Sequence, residues 1–181
     1  MFDTAKLITL LFILLILWQR GNICASIAKL LYARGNLRSW KKWFEIAQRL
    51  GGMSFNNKVL HAYLLLKEGE LEKANKLFAL LSMDRLTPQQ KLQLKGSYAL
   101  VFWKNGEVGT AIEMLEEVIE KAPSTSVYGS LGYMYAFNNN LSRALEFNQM
   151  AYDYNNTNAI IVDNLAFTHY KRGEFEEAKK Y

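Results

Sequence analysis

The sequence contains few of the residues that build metal sites and disulfide frameworks. Among 181 residues there are one cysteine, Cys24, two histidines, His61 and His169, and two prolines. A single cysteine has no partner for an intramolecular disulfide bond, and these three side chains alone do not form a zinc site. We therefore predict no metal and no cofactor. Half of the residues are hydrophobic and only 22% are charged, a composition typical of a globular, mainly helical protein.

Catalytic motifs are also missing. No serine, cysteine or carboxylate group has a recognisable catalytic spacing, and no glycine-rich loop is suited to phosphate. We interpret the acidic residues of 113–120 as a solvent-exposed helix face, and we expect His61 and His169 to pack between helices. The sequence therefore predicts a protein without enzymatic activity.

One long apolar run lies near the N-terminus. Residues 7–18 read LITLLFILLILW, with Thr9 as the only polar residue, so no face of a helix formed here is polar. The uncharged residues 7–19 span about 20 Å as a helix, against roughly 30 Å of hydrocarbon in a bilayer. Lys6 and Arg20 are able to extend from the two ends, and Trp18 suits the membrane interface.

We predict from this run that residues 1–20 form a membrane anchor and that the remaining chain, residues 21–181, forms a separate domain. A cleaved signal peptide, with a weak cleavage site after Ala25, and a buried core helix are the alternatives.

Basic charge is concentrated next to the apolar run. Residues 20–50 carry seven basic side chains against Glu45 alone, whereas residues 51–181 carry 14 basic and 15 acidic ones. The positive-inside rule then predicts a single-pass protein with its C-terminal domain in the cytoplasm and lipid contacts at the N-terminus. Trp40 and Trp43 are candidate interface anchors. The predicted membrane-proximal basic patch consists of Arg20, Lys29, Arg34, Arg38, Lys41 and Lys42.

A repeat with a period of about 34 residues runs through the rest of the chain. Residues suited to a left-handed helix stop recur at spacings of 34, 37, 33 and 34: Gly35, Gly69, Gly106, Asn139 and Gly173. Seven residues before each of them lies a small residue: Ala28, Ala62, Ala99, Gly132 and Ala166. Five residues after, from the second unit on, lies alanine: Ala74, Ala111, Ala144 and Ala178. Small residues on both sides of a tight turn predict antiparallel helical hairpins.

The period and the pattern, as in NLAFTHYKRGEFEEAKKY from Asn164 to Tyr181, resemble the tetratricopeptide repeat. The resemblance implies an all-α solenoid of about five hairpins, preceded here by one hydrophobic helix. The predicted units are about 21–54, 55–91, 92–124, 125–158 and 159–181. The last unit is incomplete, so we expect further chain to follow. The first unit departs from the pattern, because Trp40 stands where the others have alanine.

The resemblance further implies that first-helix residues line a groove for a protein partner. These positions are rich in aromatic residues and lysine, which suits a peptide with apolar and acidic features. The predicted groove residues are Tyr63, Leu66, Lys67, Leu100, Trp103, Lys104, Tyr133, Phe137, Phe167, Tyr170 and Lys171. Of these we expect Tyr63, Trp103, Tyr133 and Phe167 to be the most exposed. The lysine and asparagine pair with which one subclass grips C-terminal carboxylates is absent.

The leading hypothesis is a membrane-anchored, non-catalytic scaffold or adaptor that binds a protein or peptide, as in the assembly of a membrane or envelope complex. One alternative is an exported repeat protein with a cleaved signal, acting in the envelope. Another is nucleic-acid binding through residues 20–50 with Tyr32, Trp40 and Trp43, which is disfavoured because the basic charge is confined to one end. Self-association through the last hairpin is a further option.

Overall fold

The computed structural model describes residues 4–181, and every regular element in that range is a helix. The ten helices are α1 (Thr4–Ala33), α2 (Leu37–Leu50), α3 (Phe55–Lys67), α4 (Leu71–Ser82), α5 (Pro88–Lys104), α6 (Val108–Lys121), α7 (Thr125–Phe137), α8 (Leu141–Tyr154), α9 (Ala159–Lys171) and α10 (Phe175–Ala178). The predicted all-α class is confirmed. The predicted anchor starts before Thr4, and its first three residues lie outside the described range.

The helices pack as antiparallel hairpins in two compact units, one ending at Leu65 and the other covering Leu66–Tyr181. In the first unit α1 packs against α2. In the second unit α5 packs against α6, α7 against α8, and α9 against α10. Helix α4 also packs against α5, α6 against α7, and α8 against α9. Sequence neighbours are therefore neighbours in space, as expected for a helical repeat.

The hairpin turns confirm the predicted left-handed positions. The φ angles of the four glycines at these turns lie between 72° and 88°, and Asn139, with φ of 62°, is the only non-glycine residue with positive φ within residues 4–181. Asparagine is one of the few side-chain-bearing residues that tolerate this conformation. The helix starts are also encoded locally: the Thr87 hydroxyl accepts from the Gln90 backbone amide, and the Gln90 side chain accepts from the Thr87 backbone amide.

Small residues allow the paired helices to approach closely. Alanines without solvent exposure occupy the repeated small positions in both units: Ala28, Ala62, Ala74, Ala99, Ala111 and Ala144. In α4 the core is completed by larger residues one and two turns after Ala74, Phe78 and Leu81. The fifth hairpin is looser, because Ala166 and Ala178 are only half-buried.

Trp40 replaces alanine in the first hairpin and is fully buried there. Its ring centroid lies 5.4 Å from that of Tyr32 and 6.0 Å from that of Phe44, both edge to face. His61 is buried, as predicted, with its ring stacked on Phe44 at 4.5 Å. The expectation that Trp40 serves as a membrane-interface anchor is wrong, because the first hairpin uses the indole as its core.

Helix α1 passes from the apolar run into the first hairpin without a break. The boundary that the sequence suggested at residue 20 therefore falls inside one helix. The two parts of α1 differ in packing: the side chains from Leu7 to Trp18 are all exposed, whereas Gly21, Cys24, Ala25 and Ala28 are buried. The segment Lys6–Ala33 is long and apolar enough to cross a membrane.

The fourth hairpin contains a polar exception in its core. Asn148 is fully buried in α8, and its side-chain amide donates to the Thr168 hydroxyl over 2.8 Å. Asn164 donates to the backbone oxygen of Gly129 over 3.0 Å, which links α9 to α7. The Asn148 amide lies against Gly132, where an added Cβ would be only 2.0 Å from the amide oxygen. Glycine at position 132 is therefore the residue that makes room for Asn148.

Two glycines at one turn, Gly106 and Gly109, test the prediction that only the first has a left-handed backbone conformation. Gly106 has φ of 88°, whereas Gly109 lies in α6, and a Cβ added there would meet no atom within 4 Å. We expect Gly106→Ala to destabilise the protein by about 1–2 kcal/mol, because alanine is strained in the left-handed region. Gly109→Ala is expected to stabilise it by roughly 0.5–1 kcal/mol. Thermal unfolding in detergent, followed by circular dichroism, measures both; equal shifts would contradict the assignment.

The contact of Gly132 with Asn148 predicts that the effect of Gly132→Ala on stability depends on the residue at position 148, which a double-mutant cycle measures. Gly132→Ala alone is expected to cost about 1–3 kcal/mol, because the new methyl group overlaps the amide. In an Asn148→Ala background the same change has space, and the better helix propensity of alanine makes it neutral or stabilising by up to about 1 kcal/mol. The same cost in both backgrounds, measured by thermal unfolding, would refute the contact between Gly132 and Asn148.

Candidate protein-interaction surface

Eight of the eleven predicted groove residues lie near the C-terminal ends of α5, α7 and α9, close to the hairpin turns. Trp103 and Lys104 end α5, Tyr133 and Phe137 lie in the last turns of α7, and residues 167–171 end α9. Helix periodicity places residues three or four apart on one face. Neighbouring first helices therefore present these side chains on the same side of the second unit.

Four aromatic rings from the three helices form a continuous row, which we call the aromatic row: Phe137, Trp103, Tyr133 and Phe167. The Trp103 ring centroid lies 5.6 Å from that of Tyr133 and 6.4 Å from that of Phe137, both edge to face. Tyr133 lies 6.1 Å from Phe167 with the rings 30° apart. These distances are typical of favourable aromatic pairs, so the rings support one another.

Lysines lie over two rings of the aromatic row. The ammonium nitrogen of Lys104 is 4.5 Å from the Trp103 ring centroid, and that of Lys171 is 6.0 Å from the Phe167 ring centroid. Lys171 also donates to the backbone oxygen of Ala136 over 3.2 Å. Both lysines lie in the last turn of a helix, where positive charge favours the helix dipole. They give this surface its positive charge.

Exposure along this face differs from the sequence-based expectation. The most exposed members are Phe137 and Tyr170, at 59% and 62%, whereas Trp103, Tyr133 and Phe167 are half-buried because each packs on its neighbour. Tyr63, at 40%, is exposed in the first unit. Leu100 is half-buried and Lys67 is exposed.

Two further residues change the outline of the surface. Leu66 is buried, so its side chain supports the interior rather than lining a groove. Phe175, which the sequence pattern did not mark as a surface residue, is 55% exposed and lies 5.6 Å from the Tyr170 ring. Phe175 is the first residue of the short helix α10.

The six residues of the predicted basic patch do not form one cluster. Because α2 runs antiparallel to α1, the chain turns at Gly35, and Arg34 and Arg38 lie at the turn end of the hairpin. Arg20 lies at the other end, about 20 Å away along α1. Lys29, Lys41 and Lys42 lie between these ends, and the Lys41 ammonium is 5.6 Å from the Trp40 ring centroid. The positive charge is thus distributed along the first hairpin.

The acidic run of α6 is partly structural, which its spacing along the sequence did not indicate. Glu116 accepts from the Tyr135 hydroxyl over 2.6 Å and from Arg143 over 2.8 Å, and so joins α6 to α7 and α8. Burial raises the pKa of the Tyr135 hydroxyl, and its hydrogen bond to the Glu116 carboxylate acts in the same direction. Glu117 pairs with Lys95 and Lys121, whose hydrogen bonds lower the pKa of its carboxyl group. The run therefore joins helices as well as facing solvent.

Comparison with solved structures identifies the fold. The chain is similar to Pseudomonas aeruginosa PilF, with a TM-score of 0.69, 16% identity, and coverage of 89% of this chain and 72% of that one. A tetratricopeptide repeat protein from Parabacteroides merdae gives a TM-score of 0.62 at 14% identity, with coverage of 90% and 64%. YrrB, described as a tetratricopeptide repeat protein with an unusual peptide-binding site, gives 0.56 at 16% identity, with coverage of 87% and 80%.

No protein-family model matches the sequence, and no curated protein matches it significantly. The structural matches nevertheless agree with the hairpins, turns and small-residue contacts described above. The fold is therefore that of a tetratricopeptide-repeat α-solenoid, with a long apolar first helix. The predicted resemblance and fold class are confirmed.

Proposed function

We propose that the protein is a non-catalytic scaffold that is anchored in a membrane by α1 and binds a protein or peptide partner through the aromatic row. The observation that carries this proposal is the row itself, since four rings from three helices present a pre-formed apolar surface beside two lysines. Aromatic side chains that packing already holds in place lose little conformational entropy on binding. A segment with apolar anchors and nearby acidic groups fits this surface.

The similarity to YrrB supports the class of partner, because that protein is described as having a peptide-binding site. The row is also shaped for an extended or helical segment, as it crosses three helices rather than surrounding a pocket. Lys104 and Lys171, over the Trp103 and Phe167 rings, favour acidic groups in the bound segment and make the interaction sensitive to salt.

Exposed apolar surface on α1 supports the membrane anchor. Eleven large hydrophobic side chains between Leu7 and Trp18 are 43% to 70% exposed. A contiguous patch of this kind indicates an interaction with lipid or protein. It surrounds the helix on all sides, which suits lipid better than a single partner surface.

The packing of α1 disfavours cleavage as a signal peptide. Ala25, after which a cut would fall, is fully buried, and Gly21 and Cys24 before it are buried against the rest of the first unit. Cleavage there would remove these contacts from the first hairpin. The charge asymmetry between residues 20–50 and the N-terminal side favours a cytoplasmic repeat domain.

Nucleic-acid binding through the first hairpin is not favoured. Trp40, one of the three aromatic residues expected to stack on bases, is fully buried. The basic residues are spread along the hairpin rather than forming a groove.

Binding of an arrayed library of acidic and apolar peptides tests the proposed surface. Phe137→Ala is expected to weaken binding of the selected peptides by about tenfold or more, equivalent to about 1.4 kcal/mol. Tyr154→Ala is the matched control, since Tyr154 is an aromatic residue that is 68% exposed at the end of α8, outside the row. Equal losses in both variants, or none in either, would argue against the aromatic row.

Membrane fractionation of native cells, with the mass of the mature N-terminus and protease protection, tests the anchor. We expect an intact N-terminus in the membrane fraction, with the repeats protected in intact cells and digested in inverted vesicles. The reason is that the second half of α1 is buried in the first hairpin, and the apolar first half belongs to the same unbroken helix. A shortened N-terminus with repeats accessible from outside would support the exported alternative instead.

A further inference from the structure

The loop between α2 and α3 packs on α1 at the point where the exposed apolar run ends. We call residues Leu50–Ser54 the junction loop. It starts at the last residue of α2 and precedes Phe55, the first residue of α3. Because α1 continues unbroken through this level, the apolar run and the first hairpin are joined without a flexible linker.

Backbone contacts hold the junction loop against α1. A Cβ on Gly21 would lie 2.2 Å from the Gly51 carbonyl oxygen and 2.7 Å from the Met53 amide nitrogen, so only glycine permits this approach. Gly51 and Gly52 have φ angles of 72° and 78°, which glycine adopts without strain. A Cβ on Gly52 would lie 3.0 Å from the Trp18 carbonyl oxygen.

Side chains of α1 fix the same contact. The Arg20 guanidinium donates to the carbonyl oxygens of Leu50 and Leu17, each over 2.7 Å. Asn22 accepts from the Ser54 backbone amide over 2.8 Å and from the Asn57 side chain over 2.9 Å. The junction loop is therefore held at a fixed height on α1, beside residues 17–22.

Exposed apolar side chains continue from the apolar run of α1 past the level of the junction loop. Trp18 is 70% exposed, Leu50 42% and Ile23 44%. Residues 7–19 span only about 20 Å, but the helix from Leu7 to Ile23 spans about 25 Å, closer to the roughly 30 Å hydrocarbon thickness. Arg20 is the only charged residue within that longer stretch, and it is bound to two carbonyl groups.

We infer that the junction loop lies in the membrane interface, with Leu50 and Trp18 in contact with phospholipid, and that it seats the first hairpin directly on the bilayer. This inference rests on the proposal that α1 spans the membrane. The occupant of this surface is lipid because the exposed side chains are continuous with the apolar run. Arg20 has five donors, so its carbonyl bonds leave donors for a lipid phosphate.

Depth-dependent quenching in liposomes tests this placement with the full chain. Cys24, the only cysteine, is replaced by alanine, and a fluorescent label is attached to Leu10→Cys, Leu50→Cys or Arg38→Cys. The liposomes contain phosphatidylcholine and phosphatidylglycerol, with a quencher on the lipid near the headgroup or iodide in the water. Arg38 is the control, since it lies about 18 Å from Leu50 along α2.

We expect lipid quenching at positions 10 and 50, and iodide quenching at position 38 alone. If position 10 is protected while positions 50 and 38 are equally open to iodide, the inference is overturned and the membrane span stands. If position 10 is open to iodide, the proposed span fails, and the inference fails with it.

A second comparison tests the contact between Gly21 and Gly51, which determines the position of the junction loop along α1. Gly21→Ala, in the Leu50→Cys background, is expected to raise iodide quenching at position 50 several-fold, because the new methyl group overlaps the Gly51 carbonyl. Gly96→Ala is the matched control, also within a helix, where a Cβ would meet only Val118 at an ordinary 3.8 Å. Helix content by circular dichroism verifies that both variants fold. Unchanged quenching in a folded Gly21→Ala protein would contradict the inferred seating.

Discussion

Close contact between antiparallel helices at small residues is the constraint on which the rest of the structure depends. Ala99 and Ala111 are fully buried in the third hairpin, and the corresponding alanines play the same part elsewhere. Such an approach requires a short turn, which a left-handed residue at each hairpin supplies. Because the small face of each first helix is used for its own hairpin, other faces remain for neighbouring repeats and solvent. The aromatic row is one result of this division.

Two hairpins do not have alanine at both of the close-contact positions, and they show how a hairpin accommodates a different residue. In the first hairpin Trp40 takes the alanine position, and Tyr32, Phe44 and His61 surround it as an aromatic core. In the fourth hairpin Gly132 has no side chain, and the amide of Asn148 occupies the space. Burial of Asn148 is accompanied by hydrogen bonding to Thr168 across to the next hairpin. An indole fills the position in the first case and an amide fills the space in the second.

Helix α1 combines two kinds of surface in one element. Its first half exposes apolar side chains throughout, and its second half contributes buried residues to a hairpin. The two halves are joined within one unbroken helix rather than by a flexible linker. The lysines of the proposed partner surface in the second unit also have two effects. They interact favourably with the helix dipole at the ends of α5 and α9, and they add positive charge to the surface.

The sequence alone determined the helices, their turns and their repeat. The conformation of Gly106 or Asn139 and the periodicity of α4 depend on local φ preferences and on a 3.6-residue period, both of which are present in the order of residues. Only the tertiary structure decided which side chains are exposed. Leu66 and Trp40 are buried, Phe137 is more exposed than Trp103, and Glu116 bridges helices. It also separated Arg20 from Arg38, although both lie in one basic segment. Exposure and charge clustering depend on which helices meet, and residues far apart along the chain decide that.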